Sequence, residues 1–174
     1  MAELDWDALS EFVDGMWDDS ALPDLYRFIE IPALSPAFDA DWNANGHLDA
    51  TIDLFTAWLA TVPLEGLSVN VHQLAGLTPL ILCKVEGTAP GEVLFYSHLD
   101  KQPEFTGWSE GKGPWKPVRE GDWLFGRGSV DDGYGGYAGI ISVLALQQQG
   151  IPHPTCRFII ETCEESGSPD LPAY

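Results

Sequence analysis

The stretch Val93-Leu-Phe-Tyr-Ser-His98-Leu-Asp100 constrains this chain most. Four consecutive apolar residues after the Gly87–Gly91 turn, which holds Pro90, read as an interior strand covered on both faces. Its exit carries an imidazole and a carboxylate two residues apart, so an extended backbone sends both from the same face. Two later stretches answer it. Gly126-Arg-Gly-Ser-Val-Asp131-Asp132-Gly133 and Glu161-Thr-Cys-Glu164-Glu165-Ser-Gly-Ser168 also place acids directly after apolar, β-rich runs. Sites in open α/β sheets form beyond the carboxyl ends of strands, and the three stretches are expected to converge on metal ions.

The remaining elements follow from spacing. Leu4, Ala8, Phe12 and Met16 predict a helix over 4–17. Ser20 is expected to cap a second helix, with Pro23 in its first turn and Leu25, Phe28 and Ile29 on one face. Pro32 and Pro36 open a loop to about Asn45. Leu48, Ile52, Phe55, Leu59 and Val62 then line a helix that Pro63 stops, with a solvated or capping His47 at its start. Strands are expected at 67–74, 79–85, 92–97 and 155–161, with a short one at 122–125 and an outward-facing His72 in the first. Residues 101–121 read as one long loop flanking the site, and a helix runs from Gly133 to Gly150. The order strand, loop, short strand, helix, strand is a βαβ crossover. The expected class is α/β: a mixed, mostly parallel central sheet flanked by helices, in one domain spanning 1–174.

Charge narrows the partners. With 27 acids against 8 bases the net charge is −19, which opposes nucleic acid and anionic membrane surfaces. No apolar run is long enough to span a bilayer. The acidic start, Met-Ala-Glu-Leu-Asp-Trp-Asp, lacks the positive opening of a signal peptide, so a cytoplasmic protein is expected. Cys83, Cys156 and Cys163 are odd in number and form no CxxC pair, which fits free buried thiols in a reducing compartment.

Each acidic stretch has a plain reading and a chemical one. His98 and Asp100 could be a strand-end histidine bonded to a turn aspartate, or a metal ligand with the carboxylate that orients it. One of Asp131 and Asp132 is expected to cap the following helix, which leaves the other to face the strand ends and bridge cations. Gly133, Gly135 and Gly136 are costly in a helix and point to close backbone approach there. Glu164 and Glu165 could be solvated charge, or could divide into a metal ligand and a general base. Three such stretches in series favour the chemical reading.

This ordered set resembles the co-catalytic zinc peptidases and deacylases, the family of carnosinases and cytosolic dipeptidases, carboxypeptidase G, aminoacylase, acetylornithine deacetylase and succinyl-diaminopimelate desuccinylase. Phe28-Ile-Glu-Ile-Pro32, Gln102-Pro103 and the Trp108–Val118 loop add to the likeness, which covers roughly 20–170 and is nearest the dipeptidase branch. The resemblance implies two zinc ions (cobalt or manganese being possible), with His98 and Glu165 binding one each and Asp131 bridging them. It implies that Asp100 orients His98, that Glu164 is the general base, and that the Asp131–Asp132 peptide is cis. The implied substrate is a small peptide or N-acyl amino acid. Ser97, Lys101, Trp115 and Gly133 depart from the family pattern, and Lys101 and Gly133 are expected to alter the rim of the site. The family's further acidic ligand, its last histidine and its lid or dimerisation domain have no counterpart here. The chain is therefore expected to be the N-terminal portion of a longer catalytic domain, with exposed sheet edges and possible homo-oligomers. The alternative is a non-catalytic metal-binding or oligomerising fragment.

Overall fold

A computed structural model describes residues 4–174. Helix α1 (Trp6–Met16) runs through a wide π turn at Trp17–Ala21 into α2 (Leu22–Glu30). Ser20 is therefore not a cap. The continuous helix already satisfies the amides that a cap would serve, and the Ser20 hydroxyl instead accepts from the Trp58 indole at 3.0 Å. A short helix α3 (Trp42–Asn45) lies inside the expected loop, and α4 (His47–Leu59) follows.

Strands β1 (Leu67–His72), β2 (Leu80–Val85), β3 (Glu92–His98) and β6 (Thr155–Glu161) form one sheet in the order β1-β2-β6-β3. A hairpin of β4 (Val118–Glu120) and β5 (Trp123–Phe125) occupies part of the expected long loop. Helix α5 (Gly133–Gln148) completes the crossover from β3 to β6, which pair in parallel. The α/β class and the mixed sheet are as expected, but the balance of strand directions differs. Both β1–β2 and β2–β6 are antiparallel. Only β3 and β6 are joined through a helix, and a parallel neighbour needs that longer return.

One sheet face carries the core. Ile81, Cys83, Val85, Phe158 and Ile160 are buried there beneath Tyr137, Ile140 and Leu144 of α5, with Phe55, Trp58 and Leu59 of α4 and Leu25 and Phe28 of α2 in the same cluster. Each of the larger side chains contributes about 1.5–3 kcal/mol on burial. Tyr137 packs edge-on to Phe55 and Trp58 and donates to Asp24 at 2.7 Å. All three cysteines are free and buried, and burial lifts the Cys163 thiol to about 11.

The opposite face overturns one expectation. Val93 to Tyr96 do not form an interior strand: β3 lies at the sheet edge, with Leu94 61% and Tyr96 48% exposed. Helix α5 covers only the Phe95 side, where a Cβ at Gly139 would come within 3.1 Å of the Phe95 and Phe158 rings. Among the described residues no strand pairs with the outer edge of β3. His72 faces outward as expected.

Lys101 is also not at a rim. It is fully buried, and its ammonium donates to the carbonyls of Phe28 (2.5 Å), Ile31 (2.7 Å) and Ile29 (3.4 Å) at the end of α2. Its Nζ sits 3.9 Å from the centre of the Phe28 ring. Burial pushes Lys101 downward, and the three carbonyls and the Phe28 ring favour the charged form against it. Gly133 is likewise buried, and a methyl there would strike Phe28. Replacing Lys101 with Met should cost about 2–3 kcal/mol in urea unfolding, because buried carbonyls lose their donor. A loss below about 0.5 kcal/mol would show that the helix end does not depend on it.

Candidate metal centre

The parallel pair β3 and β6 brings the first and third acidic stretches side by side, with His98 opposite Glu161. His98 is buried at the end of β3. Its Nδ1 lies 3.1 Å from the backbone carbonyl of Asp100 and 3.4 Å from that residue's carboxylate. This arrangement turns Nε2 toward Asp131 Oδ1 at 3.2 Å and Glu164 Oε2 at 3.6 Å. One donor atom from each of His98, Asp131 and Glu165 lies within 4.8 Å of the others.

The fully buried Asp100 carboxylate has a further task. Its oxygens accept from the backbone N–H groups of Glu164 (3.1 Å) and Glu165 (2.9 Å). It thereby ties the 3₁₀ turn Glu164–Ser166 after β6 to the exit of β3. Ser166 braces the turn from the other side, sharing a 2.6 Å bond with Ser35 and accepting from Ala37 N at 2.8 Å. Glu161, buried one residue pair below, accepts from Tyr96 at 2.5 Å and Ser168 at 2.8 Å.

Asp131 and Asp132 enter from the start of α5, and the peptide bond between them is cis, as the resemblance implied. Neither side chain caps the helix. Asp132 accepts from the backbone N–H of His98 at 3.2 Å, docking α5 onto β3. A Cβ at Gly135 would come within 2.7 Å of the Asp132 carboxylate, and one at Gly136 within 2.9 Å of the Phe55 ring. The glycines of this turn thus serve close approach.

Asp100, Asp131, Asp132, Glu164 and Glu165 crowd one imidazole. Among the described residues no lysine or arginine forms an ion pair with any of them. Burial raises Asp132 and Glu165 above the usual carboxylate range, opposed by bonds from His98 N and Gln102 respectively. Burial also presses His98 down. The Asp100 carboxylate, with the charges of Asp132 and Glu164, outweighs it and lifts the imidazole to about 9. Uncompensated acids around a histidine fit a divalent cation, since buried charge is normally paired or metal-bound. Around a tetrahedral zinc with bonds of about 2.0–2.1 Å, donors lie roughly 3.3 Å apart, close to the separation of His98 and Asp131.

Sequence reasoning had grouped His98, Asp100, Asp131, Glu164 and Glu165, and the fold brings all five together. It missed Asp132 as a partner of the His98 backbone, Ser166 as a brace, and Gln102, which donates to Glu165 at 2.5 Å. The alternation His98, Asp100, Gln102 was a usable signal for the last of these.

Residues 94–173 match the model of peptidase family M20/M25/M40. Over this stretch, a little under half of its length, the chain is similar to that family. Its structure superposes on human carnosine dipeptidase 1 with a TM-score of 0.73 and 25% identity, covering 94% of this chain and 36% of that one. An M20 family metallo-carboxypeptidase from Sulfolobus solfataricus gives a TM-score of 0.72 at 22% identity, covering 88% and 33%. The aminopeptidase PepT of Bacillus cereus gives 0.56 at 22%, covering 90% and 39%, and like the carboxypeptidase it shows the shared fold. The chain thus spans about a third of the length of these structures.

The raised His98 sets the sign of a pH effect. A metal needs the neutral imidazole, and in the metal-free protein that form dominates only above about 9. Zinc affinity should therefore rise with pH between 6 and 8, by up to about tenfold per unit. Calorimetry in two buffers of different ionisation enthalpy should show about one proton released per zinc at pH 7. Affinity that stays flat across this range would contradict the protonated state assigned to His98.

Proposed function

We propose that this chain is the N-terminal portion, residues 1–174, of a zinc-dependent peptidase catalytic domain that hydrolyses an amide bond in dipeptides or small N-acyl amino acids. The observation that carries this reading is the meeting of His98, Asp131 and Glu165 donor atoms within 4.8 Å, beside Glu164. In this reading His98 and Glu165 would each hold one zinc and Asp131 would contribute to both. The mixed nitrogen and oxygen donors would also accept cobalt or manganese.

A divalent ion held by His98, Asp131 and Glu165 would supply Lewis acidity toward the amide carbonyl and toward water. Glu164 then acts as general base. Its side chain is 40% exposed, so a water can reach it, and it takes the proton of the attacking water and returns it to the leaving amine. Asp100 orients His98 through Nδ1 and holds Glu164 in place through its backbone N–H. The preference for dipeptides draws on the likeness to human carnosine dipeptidase 1.

Two four-coordinate zinc ions need more donors than these three side chains provide. Further chain or a second copy would complete the set, which makes a homo-oligomer part of the proposal. The strong negative charge argues against nucleic acid and anionic membranes as partners, and no helix among the described residues is long and apolar enough to cross a membrane. Three free buried thiols suit the reducing cytoplasm. The exposed edge of β3 favours a second reading, a non-catalytic metal-binding or oligomerising fragment.

Zinc calorimetry and dipeptide hydrolysis, measured together, separate the readings. Asp131→Ala should lose zinc at both positions. Glu164→Gln should keep zinc and lose about 10²–10⁴-fold in turnover. Unchanged zinc content in Asp131→Ala would refute the bridging role. Tight zinc binding by the unmodified chain without hydrolysis would favour the second reading.

A further inference from the structure

The side chain of Gln102 has a task that nothing above assigns. It is the third of three alternate residues leaving β3: His98 points Nε2 at the acids, Asp100 holds the Glu164–Glu165 backbone, and Gln102 Nε2 donates to Glu165 Oε2 at 2.5 Å. The loop does not need this bond for anchorage. On one side, the Lys101 amide donates to Ala33 O at 2.9 Å and Ser35 N donates to Lys101 O at 3.0 Å. On the other, Arg127 donates to the carbonyl of Pro103 at 2.8 Å. Glu165 is fixed just as firmly, its amide held by Asp100 at 2.9 Å. Two anchored backbones therefore bring one neutral amide against one particular oxygen of a candidate ligand.

We infer that Gln102 is a positioning residue that restricts Glu165 to a single donor oxygen, Oε1, when a metal ion occupies the site. This rests on the metal-centre reading above and deepens it. A free carboxylate can give a metal one oxygen or both, and it changes the coordination number when it switches. An amide N–H on Oε2 takes one of that oxygen's lone pairs and holds the plane of the carboxylate, which favours Oε1 as the metal donor. Partners of this kind commonly change metal affinity 10–100-fold when removed. A neutral donor suits the role. Lysine or arginine in its place would add a competing cation to the site, and an acid would repel Glu165.

The test titrates cobalt chloride into the metal-free 174-residue chain, beside Gln102→Leu and Gln102→Met. The second variant matches glutamine in length and flexibility and is present in case the first does not fold. In the visible region, four-coordinate cobalt absorbs strongly and six-coordinate cobalt weakly. The variants should bind cobalt about 10–100-fold more weakly. At saturation they should show a weaker visible band per cobalt, as Glu165 turns to present both oxygens. A residue that merely braced the loop would lower the thermal midpoint of the metal-free chain and leave the band unchanged. An unchanged band in a folded variant that still binds cobalt overturns the inference, whether or not affinity falls. Absence of cobalt binding by the unmodified chain would instead overturn the metal-centre reading, and this inference with it.

Discussion

The Asp100 carboxylate is the hub on which the site depends. It leaves the end of β3 and receives two backbone N–H groups from the turn that follows β6. These strands are parallel neighbours, so one side chain can register two strand exits that lie more than sixty residues apart in the chain. A fully buried carboxylate is costly unless its oxygens are satisfied, and here the backbone of the candidate base and ligand satisfies them. The arrangement makes the site's geometry and the stability of that buried charge the same problem.

Around this hub no lysine or arginine offsets the crowded acids among the described residues. Lys101, next in sequence, turns its ammonium away to close the carbonyl end of α2. Arg127 is spent on the Pro103 carbonyl and stacks over the Phe105 ring. With no lysine or arginine directed at them and only the His98 imidazole between them, Asp131, Glu164 and Glu165 leave room for a charge that arrives from outside. This is the physical content of the metal-centre reading, and it agrees with the similarity to peptidase family M20/M25/M40 over residues 94–173.

Several expectations failed for a common reason. Val93 to Tyr96 suggested an interior strand because all four side chains are apolar, yet β6 is inserted between β2 and β3 and leaves β3 at the edge. Ser20 suggested a cap because local chemistry favours one, yet a π turn carries the helix through it. Lys101 suggested an altered rim because it departs from the family pattern beside the site, yet its long stem reaches into the core. In each case local pattern was read correctly and a distant partner decided the outcome. The sheet's strand directions belong with these, since pairing is chosen among elements that sequence order does not rank.

The sequence by itself determined the main elements and the chemical inventory: the longer helices from apolar spacing, the sheet strands from apolar runs, and His98, Asp100, Asp131, Glu164 and Glu165 as the residues to watch. These follow from short-range rules of period, turn chemistry and donor type. Only the tertiary structure decided which side chains serve one another. Asp132 holding the His98 amide, Ser166 braced by Ser35, and Gln102 placed on Glu165 are contacts across 34, 131 and 63 positions. They arise where β3 and β6 lie side by side as a parallel pair; the βαβ order signalled that crossover, but no local pattern signalled which side chains would meet at its end.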